Sequence, residues 1–279
     1  MAVRKLDDES ADHHKVALKG DPTKTDPKKL KLGKHPVRHD PRTLLLASYL
    51  TTALPAAPAT FDVSKKVHSW GMMENDQIGD CTCAAAGHLL MEWTENAKGK
   101  MFTPTDKQIV AAYSAITGYD PTTGANDNGA QELDVLNYWR QTGIAGHKIS
   151  AYMALEPANH THVMDSVYIF GGCYIGVQLP KTAQAQTQNH QPWSVPPSGT
   201  TGDGAPGSWG GHAIPVVAYD SRGVTVVTWG ALQTMTWEFW KAYCDEAYAI
   251  LSSDYLSGKN QTPQGFNLAQ LQEDLADLK

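Results

Sequence analysis

The texture of this chain changes once, near Ile149, and that change constrains the fold more than any single motif. Before it, segments have helical spacing. Asp80 to about Lys98, DCTCAAAGHLLMEWTENAK, is small and apolar at helical intervals. Residues 104–117 form a second candidate helix opened by Thr103-Pro104, and 130–142 a third, with Leu133, Leu136, Tyr138 and Trp139 on one face and Gly143 as the stop. After Ile149 the chain turns to short β-rich runs divided by Gly, Pro and Asp: VYIFGGCYIGVQL (167–179), HAIPVVAYD (212–220), GVTVVTWG (223–230) and EAYAIL (246–251). Helices first and strands second predict an α+β class, with a helical part at about 75–150 and an antiparallel β part at about 150–256.

Flanking segments divide the chain further. Residues 1–54 form a basic arm whose first 43 residues show no sustained apolar period, so disorder or an extended conformation is expected. Up to residue 55 the chain holds 11 Lys/Arg and 7 Asp/Glu; of the totals of 23 and 29, that leaves 12 and 22 for the rest. A basic arm on an acidic body fits a solvated tail, or an arm that docks on its own body or on a protein partner. Nucleic acid is the weakest of these readings, because no aromatic residue accompanies the charges before Tyr49. The LLLASYL stretch after Thr43 reads as a short helix or docking segment, and the compact domain is expected over 55–256. Residues 180–211, rich in Gly, Pro, Gln and Ser, are expected to form a long loop. Residues 257–279 are expected to contain an amphipathic helix that starts after Asn267 and docks on the body or on a partner. No run approaches the roughly 18 apolar residues that span a bilayer, and the first residues lack a secretory apolar core. The expected location is the cytoplasm, or a virion if the chain is phage-encoded, with no membrane partner.

Four cysteines over 279 residues do not make a disulfide scaffold, and Cys81 and Cys83 are too close to pair well with each other. No second Cys/His cluster completes a zinc site, and 120–129 lacks the ligand pattern of a calcium loop, so neither metal nor cofactor is expected. Cys173 and Cys244 are expected to be packing thiols. Cys81 differs because it stands where the first helix should begin. A helix N-terminus favours thiolate, as does a neighbouring imidazolium. His212 follows Gly210-Gly211 and opens an apolar strand, a position at a strand end beside a cleft that suits a base.

Several segments, taken in order, resemble the papain family of cysteine peptidases. LPAAPATFDVSKKVHSWGMMENDQIGDCTCAAAGHLL is similar to that family's mature start. NGAQELDVLNYWRQTGI is similar to its glycine wall and following helix. GGHAIPVVAYDSRGVTVVTWG is similar to the strand pair that carries the base, and AYAIL to the closing strand. The resemblance covers residues 55–252, roughly seven-tenths of the chain. It implies a papain-like fold with a cleft between its two parts, Cys81 as nucleophile and His212 as base. It also implies Gly129 as a cleft wall, unless that glycine simply ends a loop, and Trp229 as a shield beside the imidazole. Two assignments stay open. With Cys81 as nucleophile, Asn75 occupies the oxyanion position; with Cys83, Gln77 does. QIGDCT, similar to the bacterial and viral form Gln-Leu-Gly-Ser-Cys-Thr, favours Cys81. The family's Asn-Ser-Trp-Gly reads Val227-Thr228-Trp229-Gly230 here, so Thr228 stands where an amide would orient the base.

Two functional classes follow. One is a bacterial or bacteriophage cysteine peptidase that cleaves peptide or isopeptide bonds of a peptide or protein substrate. The other is a catalytically degenerate structural or binding protein on the same fold, for example a virion component. The missing Asn and the basic arm favour the second.

Overall fold

The computed structural model describes residues 26–48, 56–257 and 261–264. The helical part packs α1 (Cys81–Lys98), α2 (Asp106–Thr117) and α3 (Glu132–Gln141) together. α1 ends where Gly99 turns left-handed, and its N–H caps the Glu95 carbonyl. α2 begins two residues later than the Thr103-Pro104 pair suggested. Thr105 and Gln108 close a reciprocal capping box there, satisfying two N–H groups that would otherwise be orphaned.

The β part is one sheet, with strand order β1-β3-β8-β4-β5-β6-β7 and β2 paired with β5. Its strands are β1 (Leu44–Leu45), β2 (Phe61–Asp62), β3 (Ala151–Ala154), β4 (Cys173–Leu179), β5 (Gly210–Tyr219), β6 (Gly223–Thr228), β7 (Ala231–Thr236) and β8 (Cys244–Leu251). Only the β1–β3 pairing is parallel among the described strands. Strand β5 is apolar along nearly its whole length because both of its faces are covered. Ala213 and Val217 belong to the core shared with α1, whereas Ile214 and Val216 belong to a second core with Trp193, Phe239 and Trp240.

Three expectations are corrected. The run from Val167 begins inside a helix, α4 (His160–Phe170), before β4 starts at Cys173. Its β-branched and aromatic residues mimic a strand, but Asn159 caps it through the His162 N–H and Gly171 ends it in the left-handed conformation. The 180–211 segment is not a plain loop, because it contains α5 (Thr182–Gln188) and a 3-10 turn at Gly202–Gly204. A last helix, α6 (Trp237–Tyr243), leads directly into β8.

The arm gives the third correction. Residues 26–48 are neither a solvated tail nor disordered: they lie along the body as a strap. Leu30 is buried, Leu44–Leu45 add a parallel strand beside Met153–Ala154, and Leu46 is fully buried. Arg38 forms an ion pair with Asp134 of α3. The LLLASYL stretch begins as this strand and passes into a 3-10 turn at Leu46–Ser48. The amphipathic helix expected after Asn267 lies outside the described residues. No described helix is long and apolar enough to cross a membrane.

In the helical core the indoles of Trp93 on α1 and Trp139 on α3 stack at 5.5 Å and 22°, both fully buried. Replacing Trp139 by alanine removes this stack and leaves a cavity between the two helices. Trp139→Ala is expected to lower unfolding free energy by about 3 to 5 kcal/mol, measured by chemical denaturation.

Candidate active site

Cys81 is the first residue of α1, so its backbone N–H has no partner inside the helix. The residue is 1% exposed, and its sulfur lies beside the backbone amides of Ala213, the residue after His212, and of Gly33 in the strap. Cys83 is fully buried in the helical core, and its thiol is raised well above its usual value by that burial. All four cysteines are free. Burial pushes the Cys81 thiol up to about 12, against the pull of those two amides.

His212 is also buried. Its Nε2 is 2.8 Å from the Thr228 hydroxyl, and its ring stacks on Trp229 at 4.4 Å and 16°. Thr228 therefore occupies the position beside the imidazole that the resemblance assigns to an amide. Nδ1 of His212 has no hydrogen bond. Burial pulls the imidazole down to about 3, with His88 adding to the effect. His88 was not anticipated from sequence. It sits about two turns into α1, near the carbonyl of Gly71 (3.1 Å) and edge-on to Trp70, and burial lowers it to about 4.

The two candidate oxyanion donors are engaged in their own turn. The Asn75 amide donates to the Ile78 carbonyl at 3.3 Å, and Gln77 is exposed with its amide donating to Asp76. Asp80, immediately before Cys81, is fully buried; burial drives its carboxyl well above the usual range, and the Asn75 amide works in the opposite direction.

The strap runs through the cleft between these groups. The Ala130 N–H donates to the Gly33 carbonyl at 2.7 Å and the His35 N–H to the Ala130 carbonyl at 3.0 Å, a parallel bridge along one wall. On the other wall the Lys34 N–H donates to the Gly211 carbonyl at 3.1 Å and the Trp229 indole to the Lys31 carbonyl at 3.1 Å. Two glycines make this approach feasible. A Cβ on Gly33 would fall 1.8 Å from the Gly79 carbonyl oxygen. One on Gly129, itself left-handed, would fall 2.0 Å from the Gly33 oxygen. Gly129 thus packs closely on Gly33 of the strap, and its N–H donates to the Tyr113 hydroxyl, which in turn donates to Asp127.

With the strap in place, thiol and imidazole are both neutral across the physiological range. A depressed histidine contributes stability that is complete above about pH 6.5 and is lost as pH falls toward the folded value, because the unfolded chain takes up the proton first. Buried Asp80, Glu92 and Glu132 are raised by desolvation and oppose this trend, so the informative quantity is a difference between variants. Relative to its own stability at pH 7, wild type is expected to lose about 2 kcal/mol more than His212→Gln by pH 5, in paired urea titrations.

No protein-family model and no curated protein matches the sequence. Solved structures do. The chain is similar to xylellain, a cysteine protease from Xylella fastidiosa, at 15% identity over 80% of this chain and 97% of that one, with a TM-score of 0.59. It is similar to a digestive procathepsin L2 proteinase from Tenebrio molitor larval midgut at 12% identity over 81% of this chain and 79% of that one, with a TM-score of 0.55. It is also similar to proCathepsin B S9 from Trypanosoma congolense at 12% identity over 82% and 88%, with a TM-score of 0.53. At such identities the likeness is one of architecture: the chain has the papain-like α+β fold.

Proposed function

We propose that this protein is a cysteine peptidase in a latent form, with residues 31–35 of its own chain lying where a substrate peptide would run. The observation that carries the reading is the backbone of Gly33 against the sulfur of a cysteine at a helix N-terminus, one residue along β5 from a histidine held by Thr228 and Trp229.

Displacing the strap would return water to the cleft, and the desolvation that keeps both groups neutral would lessen. The Cys81 proton would pass to His212, and the thiolate would attack the carbonyl carbon of a peptide or isopeptide bond. The oxyanion would be met by the Cys81 backbone N–H and by Asn75, once its amide turns from Ile78. The C–N bond would break as the imidazolium gave its proton to the departing amine, and water would then hydrolyse the thioester. Thr228 would fix the ring through Nε2, leaving Nδ1 for the sulfur.

A degenerate binding protein is the competing reading. It is favoured by the strap's integration into the sheet at β1 and by the unbonded Nδ1 of His212. Gly33→Ala separates the two, because its Cβ collides with the backbone of Gly79 and cannot be accommodated with the strap seated. Under the peptidase reading, iodoacetamide labels Cys81 slowly in wild type. In Gly33→Ala it labels Cys81 at least about tenfold faster, already below pH 7, and His212→Ala abolishes the gain. The same variant should cleave a mixed peptide substrate, and Cys81→Ala should not. Labelling of Gly33→Ala that rises only near the free-thiol pKa of about 8.5, without hydrolysis, would leave the binding-protein reading.

A further inference from the structure

Beside the cleft, the side chain of Lys34 leaves the strap and enters a pocket in the body where it has no exposed surface. Its Nζ lies 2.8 Å from Glu246 Oε1 and 3.0 Å from both oxygens of Asp245, and donates to the His35 carbonyl at 3.2 Å. Gly176 of β4, the strand partner of Glu246, leaves room for the stem: a Cβ there would fall 1.9 Å from Lys34 Cε. The carboxylates are themselves held in place. Tyr248 donates to Glu246 at 2.9 Å and Gln178 to Asp245 at 2.7 Å. Burial works against the Lys34 ammonium, but Glu132, Glu246 and Asp245 together outweigh it and hold its pKa above that of an ordinary lysine.

Glu132 is the revealing member. It opens α3, just after the wall residue Ala130, is fully buried, and neither of its oxygens has a hydrogen bond. Burial holds its carboxyl well above the usual range, with Glu246 adding to the effect and Lys34 opposing it. Two carboxylates in contact with one ammonium, and a third carboxyl buried nearby without a donor, exceed what is needed to pin a strap, and a buried polar group without a partner is destabilising on its own account. All three belong to the body, whereas the cation is supplied by the strap. We infer that this pocket is the specificity pocket of the cleft and that it selects peptides carrying a lysine or arginine side chain next to the residue that lies at Cys81, Lys34 being its internal occupant. The inference rests on reading the cleft as a peptide-binding site. An ammonium fills its three donors with Asp245, Glu246 and a carbonyl. A guanidinium has five donors and could also satisfy Glu132.

The test uses the full chain with Lys34→Ala, which empties the pocket, and short peptides built on the strap sequence Leu-Gly-Lys-His, with lysine, arginine or norleucine at the third position. Binding is measured by calorimetry. The lysine and arginine peptides are expected to bind at least about tenfold more tightly than the norleucine peptide, and the gap should close to within about threefold when Glu246→Gln is added. Equal affinities, or no binding of any peptide, would overturn the inference. The Gly33→Ala chain gives the same comparison with the pocket residues untouched, should Lys34→Ala fail to fold. Because binding needs no turnover, the two readings fail separately. A chain with an unreactive Cys81 that still prefers basic peptides keeps the pocket and loses the peptidase, and a reactive chain that ranks the peptides equally does the reverse.

Discussion

The packing of α1 against β5 is the contact on which everything else in the site depends. α1 is a helix whose first turn, Cys81 to Ala84, is almost devoid of bulk, so its end can press against a strand that is itself covered on both faces. That approach sets the sulfur of Cys81 beside the amide of Ala213. It also bears on burial, since a buried thiol and a buried imidazole both lose their charged forms unless water or a neighbouring charge compensates.

The strap is held by two kinds of interaction with different chemical meaning. Its backbone bonds to Ala130, Gly211 and the Trp229 indole are indifferent to sequence, and any extended segment could form them. The glycine at Gly33 and the ammonium of Lys34 are not interchangeable: one is demanded by the Gly79 carbonyl, the other by the carboxylates of Asp245 and Glu246. Breaking a buried ion pair from one side commonly costs about 3 to 5 kcal/mol, because the partner charges remain without water. Lys34 is thus a large part of what keeps 31–35 in the cleft, while Leu46 and the β1 pairing anchor the strap elsewhere. Loss of the first anchor need not release the second.

How far the site was legible in the sequence follows from the same distinction. The span of α1 could be read because small and apolar residues at helical spacing are a local signal, and the strands β5, β6 and β8 because continuous apolar runs between turn residues are another. α4 was hidden because Val167, Tyr168, Ile169 and Phe170 are strand-like in isolation; the signals that could have found it were Asn159 as a cap and the Gly171-Gly172 stop. The strap could not be found by periodicity at all. A segment that binds in extended form through its backbone has no amphipathic period, and its lysines look like the solvated charges of a tail. The cluster of Glu132 with Asp245 and Glu246 was equally invisible, since Glu132 stands over a hundred residues before the other two and meets them only in the folded chain.

Thr228 shows why fold and function must be argued separately in this chain. An amide at that position would give an imidazole a partner of fixed character, whereas a hydroxyl both donates and accepts and can turn to suit either ring tautomer. The 2.8 Å contact to Nε2 orients the ring plane together with the Trp229 stack, but it does not by itself choose which nitrogen carries the proton. That choice falls to what faces Nδ1. With the strap seated nothing bonds to Nδ1, and the imidazole has no reason to be charged. A thiolate at Cys81 would supply the missing charge, and the imidazolium would stabilise that thiolate in turn, so each group's ionisation depends on the other's. Under the proposed peptidase reading, a strap that keeps the site dry opposes both ionisations at once, and its removal and the activation of the pair would be a single event rather than two.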